Sequence, residues 1–327
     1  MIEVVIPAYN AAPFLRETLL SVAQQTLVPD LVTVVDDSSA DGTVAIAHGC
    51  AEELKGRLNV AVCSNAGPRG PSAARNTAIR RGQADWIALL DSDDLMEPYH
   101  LETLMRVAGA AEDVVLAFGD SVWFHDDPSG VRRIIAESFF QSSGVAALPA
   151  AEVAPGCMTL RGGTFVPMLR HGLFGTSACV LRRDAALRAG LFDEAMMFNE
   201  DTDFFLRVTL QGRCAFTRRT VTRKRHHDAN LSHSNPSLRF YRGIALTHLK
   251  LGQWTGQPRL DAEQAAEVEN AIRRSMGGYL YEASRSGLRD YCQAAVFAHQ
   301  SGRGWMAMHP RHIARALWHA VNGTGSR

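Results

Sequence analysis

The chain has 327 residues, 46% hydrophobic and 21% charged. That is ordinary soluble globular composition, and it excludes a disordered or low-complexity chain. Thirty-four Lys plus Arg balance thirty-four Asp plus Glu, so the basic surplus that a nucleic-acid coat needs is missing and no nucleic-acid partner is expected. At roughly 150 residues per domain, the length predicts two domains. The six cysteines are scattered, with no C-x-x-C pair and no His cluster at zinc spacing, which predicts reduced thiols. Residues 1–10, MIEVVIPAYN, lack a basic n-region and a cleavage site. No window approaches the roughly 18 apolar residues of a membrane span, so the expected location is cytoplasmic.

The first hundred residues alternate between two periods. Short β-branched runs at 2–6, 31–35, 58–63 and 86–90 predict strands, and helical spacing predicts helices over 12–26, 43–55 and 72–82. Asp41 is a candidate cap for the second of these helices. Near-continuous apolar strands alternating with helices imply a parallel sheet covered on both faces. Beyond residue 95 the pattern predicts a helix over 98–111, strands at 114–118 and 121–124, and a short strand at 132–136. Residues 126–175 are rich in Gly, Pro and Ser and otherwise read as irregular. A strand at 177–181, an amphipathic helix over 200–211 and a strand at 214–222 follow. From about residue 236 the sequence reads as helical, with breaks near 252–258, 287 and 302–310.

In an open α/β sheet, ligands sit outside the C-terminal ends of the strands. The first strand ends in Pro7-Ala8-Tyr9-Asn10, the second in Asp36-Asp37-Ser38-Ser39, the fourth in Asp91-Ser92-Asp93-Asp94. Five carboxylates on one edge repel one another unless a cation or hydrogen-bond donors compensate. An oxygen-ligated Mg²⁺ or Mn²⁺ suits them, since no Cys/His set competes. Turn and helix-cap duty is the plainer role for such aspartates. Between the clusters lies NAGPRGPSAARN, residues 65–76. Its glycines permit close backbone approach to a ligand, and Arg75 could meet a phosphate.

The segments VVIPAYN, VVDDSSADGT, GPSAARNTAIRRGQADWIALLDSDD and NEDTDFFLRV occur in this order. Together they closely resemble the family 2 glycosyltransferases over roughly residues 1–235. The resemblance implies the GT-A fold: a Rossmann-like α/β mixed sheet with helices on both faces, here followed by a C-terminal helical extension. The expected organisation is a glycosyltransferase domain over 1–235, with a nucleotide-binding half (1–95) and an acceptor half (96–235), then the extension over 236–327. It implies inverting transfer of a sugar from a nucleoside diphosphate sugar, expected to be UDP-linked, to a hydroxyl of a glycan or lipid-linked glycan.

By this resemblance Pro7 and Tyr9 line the base pocket, and Asp36 or Asp37 accepts from the nucleobase or ribose. Asp91, Ser92 and Asp93 match the family's D-x-D element. Asp93 or Asp94 would hold Mn²⁺ or Mg²⁺, with Asp91 nearer the ribose and sugar and Arg75 assisting at the diphosphate. Glu200-Asp201 matches the family's E-D pair, which makes Asp201 the general base and places Glu200 by the acceptor. Arg225-His226-His227 and Ser232 match a loop that closes over the diphosphate, with His227 as a metal or phosphate ligand and Arg225 as a phosphate partner. Lys224 departs from the family's usual Tyr. Gly175 and Thr176 fall at the floor of the acceptor pocket, and the region 140–175 is expected to hold acceptor specificity.

Residues 291–327 contain no Asp or Glu but carry four Arg, four His and several large apolar side chains. A peripheral membrane contact is one expectation for this segment, and a packed helical lid or a dimer contact is the other. Two other functions compete with the transferase. A catalytically silent nucleotide-sugar-binding or scaffold protein of the same fold would not need intact Asp91, Asp93 and Asp201. A nucleotidyltransferase would show a Gly-rich phosphate loop after the first strand, where this chain has AYNAAPF.

Overall fold

The computed structural model describes residues 1–127, 129–228, 230 and 238–322. It falls into two compact units, one of Met1–Ala195 with Asp201–His233, the other of Met196–Glu200 with Ser234–Arg327.

The first unit is built on one mixed sheet. Its strands are β1 (Ile2–Ala8), β2 (Leu31–Asp36), β3 (Val60–Ser64), β4 (Trp86–Leu89), β5 (Leu95–Met96), β6 (Val114–Asp126), β7 (Arg132–Ala136), β8 (Ala150–Ala154), β9 (Cys157–Leu160), β10 (Cys179–Arg182) and β11 (Arg213–Arg225). They lie in the order β3-β2-β1-β4-β10-β6-β11-β9-β8, with β5 on β11 and β7 on β6. The pairs β1–β2, β1–β4 and β2–β3 are parallel, as the near-continuous apolar runs predict. β10 enters antiparallel to both β4 and β6, while β6 and β11 run parallel.

Every residue of β1 is buried, because helices cover both of its faces. Val4 and Ile6 join Leu15, Leu19, Val22, Ala47 and Cys50 in one core cluster. Alternation along the strand turns Glu3 and Val5 the other way. There the helix Pro71–Arg81 packs on β1, and a Cβ on Gly82 at its end would stand 2.1 Å from Glu3 Oε2.

Two stretches differ from expectation. β6 is continuous where a break at Gly119-Asp120 was expected. Gly119 serves a close approach there, since a Cβ would lie 2.7 Å from Val221 Cγ2 of the paired strand β11. The span 126–175 is more ordered than its composition suggests. It holds β7, the hairpin of β8 and β9 turning at Gly156 (φ 69°), and helices Phe139–Ser142 and Phe165–His171. Asp120 anchors its entry: its carboxylate accepts from the Ser138 hydroxyl and from Phe140 N at 2.9 Å.

The second unit is helical: Leu238–Gly252, Ala262–Ser286, Leu288–Gln300, a 3₁₀ turn Gly304–Met308, and Pro310–Asn322. Its longest helix opens with a reciprocal cap in which Asp261 accepts from Gln264 N and Gln264 accepts from Asp261 N. Met276, Leu280, Ala283, Ala294 and Ala298 form its interior. Among the described residues no helix is long and apolar enough to cross a membrane.

Candidate active site

Because β1, β2 and β4 are parallel, their C-terminal ends share one edge. The loops that follow β1 and β2 on this edge are strained. Asn10 (φ 48°) and Ser38 (φ 63°) both adopt the left-handed region that non-glycine residues avoid. They are tied together, Asn10 N donating to Ser39 Oγ at 3.0 Å and Ala40 N to Asn10 Oδ1 at 2.9 Å.

The structure separates the two aspartates of β2's end. Asp37 is buried and accepts from Asn65 Nδ2 at 2.6 Å and Gly70 N at 2.7 Å. Gly70 sits at φ 137° just before the helix Pro71–Arg81, so Asp37 shapes the glycine loop. Asp36 is only partly buried, and Ser39 N approaches it no closer than 3.3 Å. Pro7 is buried in β1, whereas the Tyr9 ring is 53% exposed with the Arg69 guanidinium 5.0 Å from its centroid.

The third strand end is more tightly built. Arg75, 5% exposed, donates to Asp91 Oδ1 at 2.7 Å and lies over the Phe192 ring. Ser177 joins two of the aspartates: Asp91 N donates to its Oγ at 3.0 Å, and that hydroxyl donates to Asp94 Oδ2 at 2.6 Å. Arg225 N donates to Asp94 Oδ1 at 2.8 Å. Asp94 is thus buried with both oxygens engaged, and burial, then the charge of Asp93, push its carboxyl well above the usual carboxylate range. Ser92 is partly buried, and its carbonyl accepts from Thr18 Oγ1 at 2.9 Å.

Asp93 points elsewhere. Its Oδ2 lies 2.9 Å from His227 Nε2, each side chain 21% exposed. His227 stacks on Phe14 at 4.5 Å, its N–H donates to Asn230 Oδ1, and Asn230 Nδ2 donates to Asp93 Oδ2 at 3.2 Å. Arg225 does not offer its guanidinium to this edge. The group is 4% exposed, packs against the rings of Phe14 and Phe124, and donates to Glu17, Asp126 and the Asp93 carbonyl. Where the resemblance implies a phosphate partner, Arg225 directs each of its three guanidinium nitrogens to a partner within the fold.

Lys224 is the residue that motif reading undervalued. Burial works against its charge, but Asp94, Asp91, Asp201 and Asp93 outweigh that and raise its pKa. One ammonium thus faces four of the candidate carboxylates. Its Nζ lies 5.8 Å from the Trp123 ring centroid. The signal in the sequence was the basic residue standing where the family has Tyr.

Asp201 opens the helix Glu200–Thr209 and is partly buried. Its Oδ1 accepts from Thr202 N at 2.6 Å. Glu200, the first residue of this helix, falls in the second unit. Thr176 is buried beside Ser177, while a Cβ added at Gly175 would meet nothing within 4 Å, so open space adjoins that backbone. Ser232 lies outside the described residues.

Among the described residues no three His, Cys, Asp or Glu side chains gather as a metal-binding set. Asp93 and His227 alone present adjacent, partly exposed donor atoms. That fits an octahedral Mg²⁺ or Mn²⁺, which takes few protein ligands and completes its shell with phosphate oxygens and water. Asp94 is buried behind this pair, and each of its oxygens already accepts one hydrogen bond.

Residues 3–144 match the family model described as Glycosyl transferase family 2. Over this stretch the chain is similar to the family 2 glycosyltransferases. It resembles the succinoglycan biosynthesis proteins ExoW and ExoO of Rhizobium meliloti (strain 1021). The first is 35% identical over 131 residues, 38% of this chain and 40% of ExoW. The second is 39% identical over 107 residues, 33% of this chain and 29% of ExoO. The matches thus span well under half the length of these curated relatives. Among solved structures, S. aureus TarS 1–349 in complex with UDP-GlcNAc superposes with a TM-score of 0.64 at 19% identity, covering 99% of this chain and 88% of that one. The mannosyltransferase PcManGT from Pyrobaculum calidifontis, in complex with GDP-Man and Mn²⁺, gives 0.57 at 18%, covering 98% and 87%. At these identities the likeness is one of fold, and the fold is GT-A. The family match stops at residue 144, so Asp201, Lys224 and His227 lie beyond it.

Proposed function

We propose that the protein is an inverting glycosyltransferase that moves a sugar from a nucleoside diphosphate sugar to a hydroxyl of a glycan or lipid-linked glycan. The observation that carries this reading is the Asp93–His227 pair, 2.9 Å apart, on the edge where β1, β2 and β4 end. TarS bound to UDP-GlcNAc supports a UDP-linked donor, and PcManGT bound to Mn²⁺ supports a divalent ion. The polysaccharide named for ExoW and ExoO supports a surface-glycan acceptor.

The nucleobase stacks at Tyr9 and Arg69, above Pro7, and Asp36 accepts the imide N–H of uracil. Arg75 holds Asp91 toward the ribose and sugar, and Ser92 lines the path to the diphosphate. Asp93 and His227 hold the ion, which when bound neutralises the departing diphosphate. Asp94 and Arg225 position these ligands from behind. Lys224 supplies counter-charge to the aspartates and to the developing charge on the leaving group. Asp201 Oδ1 is committed to Thr202 N, which leaves Oδ2 to take the proton of the acceptor hydroxyl. That oxygen attacks the anomeric carbon as the bond to the diphosphate breaks, so one base suffices and no covalent intermediate forms. Gly175 and Thr176 border the space for the acceptor, and Glu200 adjoins the base in sequence.

Calorimetric titration of the full chain with UDP, GDP and dTDP, each with Mn²⁺ and then with EDTA, tests this. Metal-dependent binding of one nucleotide, lost in Asp93→Ala, is expected. Well-folded protein that binds none of the three would overturn the reading and favour a scaffold role.

A further inference from the structure

The helix Pro310–Asn322 is mounted with its polar side inward. Ala316 is fully buried, and around it the inward positions are basic. The Arg315 guanidinium lies 4.6 Å from the Tyr281 ring centroid and donates to Ser284 Oγ at 3.3 Å. The His312 ring stands edge-on to Tyr281 and Tyr291. The opposite side is apolar and open: Ile313, Leu317, Trp318 and Val321 are 36%, 48%, 56% and 83% exposed. Their spacing of four, five and eight from Ile313 puts them on one stripe. Just before the helix, Trp305 and Met308 are 62% and 73% exposed. A water-facing helix normally shows the reverse arrangement.

We infer that this stripe docks on the surface of an anionic lipid bilayer. Charge decides the occupant. No Asp or Glu occurs from residue 291 onward, and Arg311 is exposed at the edge of the stripe, with the exposed His309 two residues before it. A pairing of two copies through this helix would bring both stripes, each bordered by its own Arg311, into one interface with no acid in the segment to answer either charge. Anionic headgroups answer it directly. Tryptophans at the border of an apolar stripe are the side chains that sit at headgroup depth. A helix of 13 residues is too short to span a bilayer, so it lies along the interface. This inference goes beyond the proposed reaction and does not depend on it.

The test uses the full chain and vesicles of phosphatidylcholine alone or mixed with phosphatidylglycerol. Co-sedimentation with the mixed vesicles, a blue shift of tryptophan emission, and release by salt are expected. Leu317→Glu, at an exposed position, should weaken binding about tenfold or more, and Arg311→Glu should weaken it on mixed vesicles only. Unchanged nucleotide affinity and thermal melting in Leu317→Glu keep the result apart from misfolding and from the catalytic reading, and Leu317→Ala serves as a milder second variant. Failure of the wild type to bind mixed vesicles would overturn the inference. So would binding indifferent to both substitutions, or a dimer in sedimentation velocity that Leu317→Glu dissolves.

Discussion

Asp93 Oδ2 and His227 Nε2 lie 2.9 Å apart although 134 positions separate them in the chain. Asp93 is brought there by the end of β4, and His227 by the continuation of β11. Phe14, stacked on the imidazole, and Asn230, bonded to both partners, fix the approach from two further segments. Four segments thus hold the two side chains close together, and an ion between them would take the place of the proton they now share.

Removing either member should therefore be costly, and removing both little worse. Asp93→Asn and His227→Asn are each expected to weaken Mn²⁺-dependent nucleotide binding by about 10–100-fold. The double variant should fall short of the product of the two, because the residues share one task. Calorimetry on the three variants, with EDTA controls, gives the coupling.

Asp201→Asn should separate chemistry from binding. Loss of the proton acceptor is expected to reduce kcat by about 10²–10⁴-fold, with nucleotide affinity unchanged. Nucleoside diphosphate release and calorimetry on the same preparation read both quantities. An equal loss in both would make Asp201 a binding group.

Lys224→Met keeps most of the stem and removes the charge facing Asp94, Asp91, Asp201 and Asp93. Bare Mn²⁺ should then bind more tightly, by about tenfold, since a repelling cation has gone. Diphosphate should bind more weakly. Opposite signs for metal and nucleotide in one variant would be hard to produce by a packing defect, and matching signs would argue against the role given to Lys224.

Arg225→Lys preserves charge but not the planar fork between Phe14 and Phe124. Glu17 and Asp126 would keep Arg132 but lose the buried guanidinium between them, and a loss of about 1–3 kcal/mol is expected in urea unfolding. Wild-type stability would identify an exposed, replaceable guanidinium instead.

His100 and His248 both carry a pKa lowered from 6.5 to about 4, with burial as the leading cause. His100 Nδ1 is hydrogen-bonded to the Val221 carbonyl at 2.9 Å, which places a proton on Nδ1 and offsets part of the effect of burial. The unfolded chain protonates these rings near pH 6.5, and the folded chain only near pH 4. Stability is thus full above about pH 6.5 and falls as pH drops toward 4, by about 3 kcal/mol for each fully buried ring. Melting temperature measured across this window should decline on acidification. His100→Asn should flatten the decline, and an unchanged slope would remove His100 from this account.

The parallel half of the sheet was legible because its strands are uninterrupted apolar runs broken by Pro7, Asp36 and Asp91. The hairpin of β8 and β9 was not, because AAEVA and CMTL carry little β-branched signal and their pairing is fixed only by the turn at Gly156. At the site, ordered motifs pointed to Asp91, Asp93, Asp201 and His227. What motifs could not assign was the division of labour within a pair. Asp36 and Asp37 read alike until the Gly70 amide selects Asp37, and Arg225 reads as a phosphate ligand until Glu17 and Asp126 claim it. Both distinctions depend on which way a side chain turns, and long-range packing decides that.

The Ser177 hydroxyl knits three distant stretches of chain. It links Asp91 and Asp94, while the Ser177 carbonyl accepts from Thr222 Oγ1 at 2.8 Å and Arg225 N closes on Asp94. A growing polypeptide cannot complete this knot until residue 225 has left the ribosome. Before that point Asp94 lacks its last donor, and three aspartates crowd a strand end with no Lys224 to answer them. This aspartate cluster is therefore a late product of synthesis, although most of its members are among the first hundred residues made.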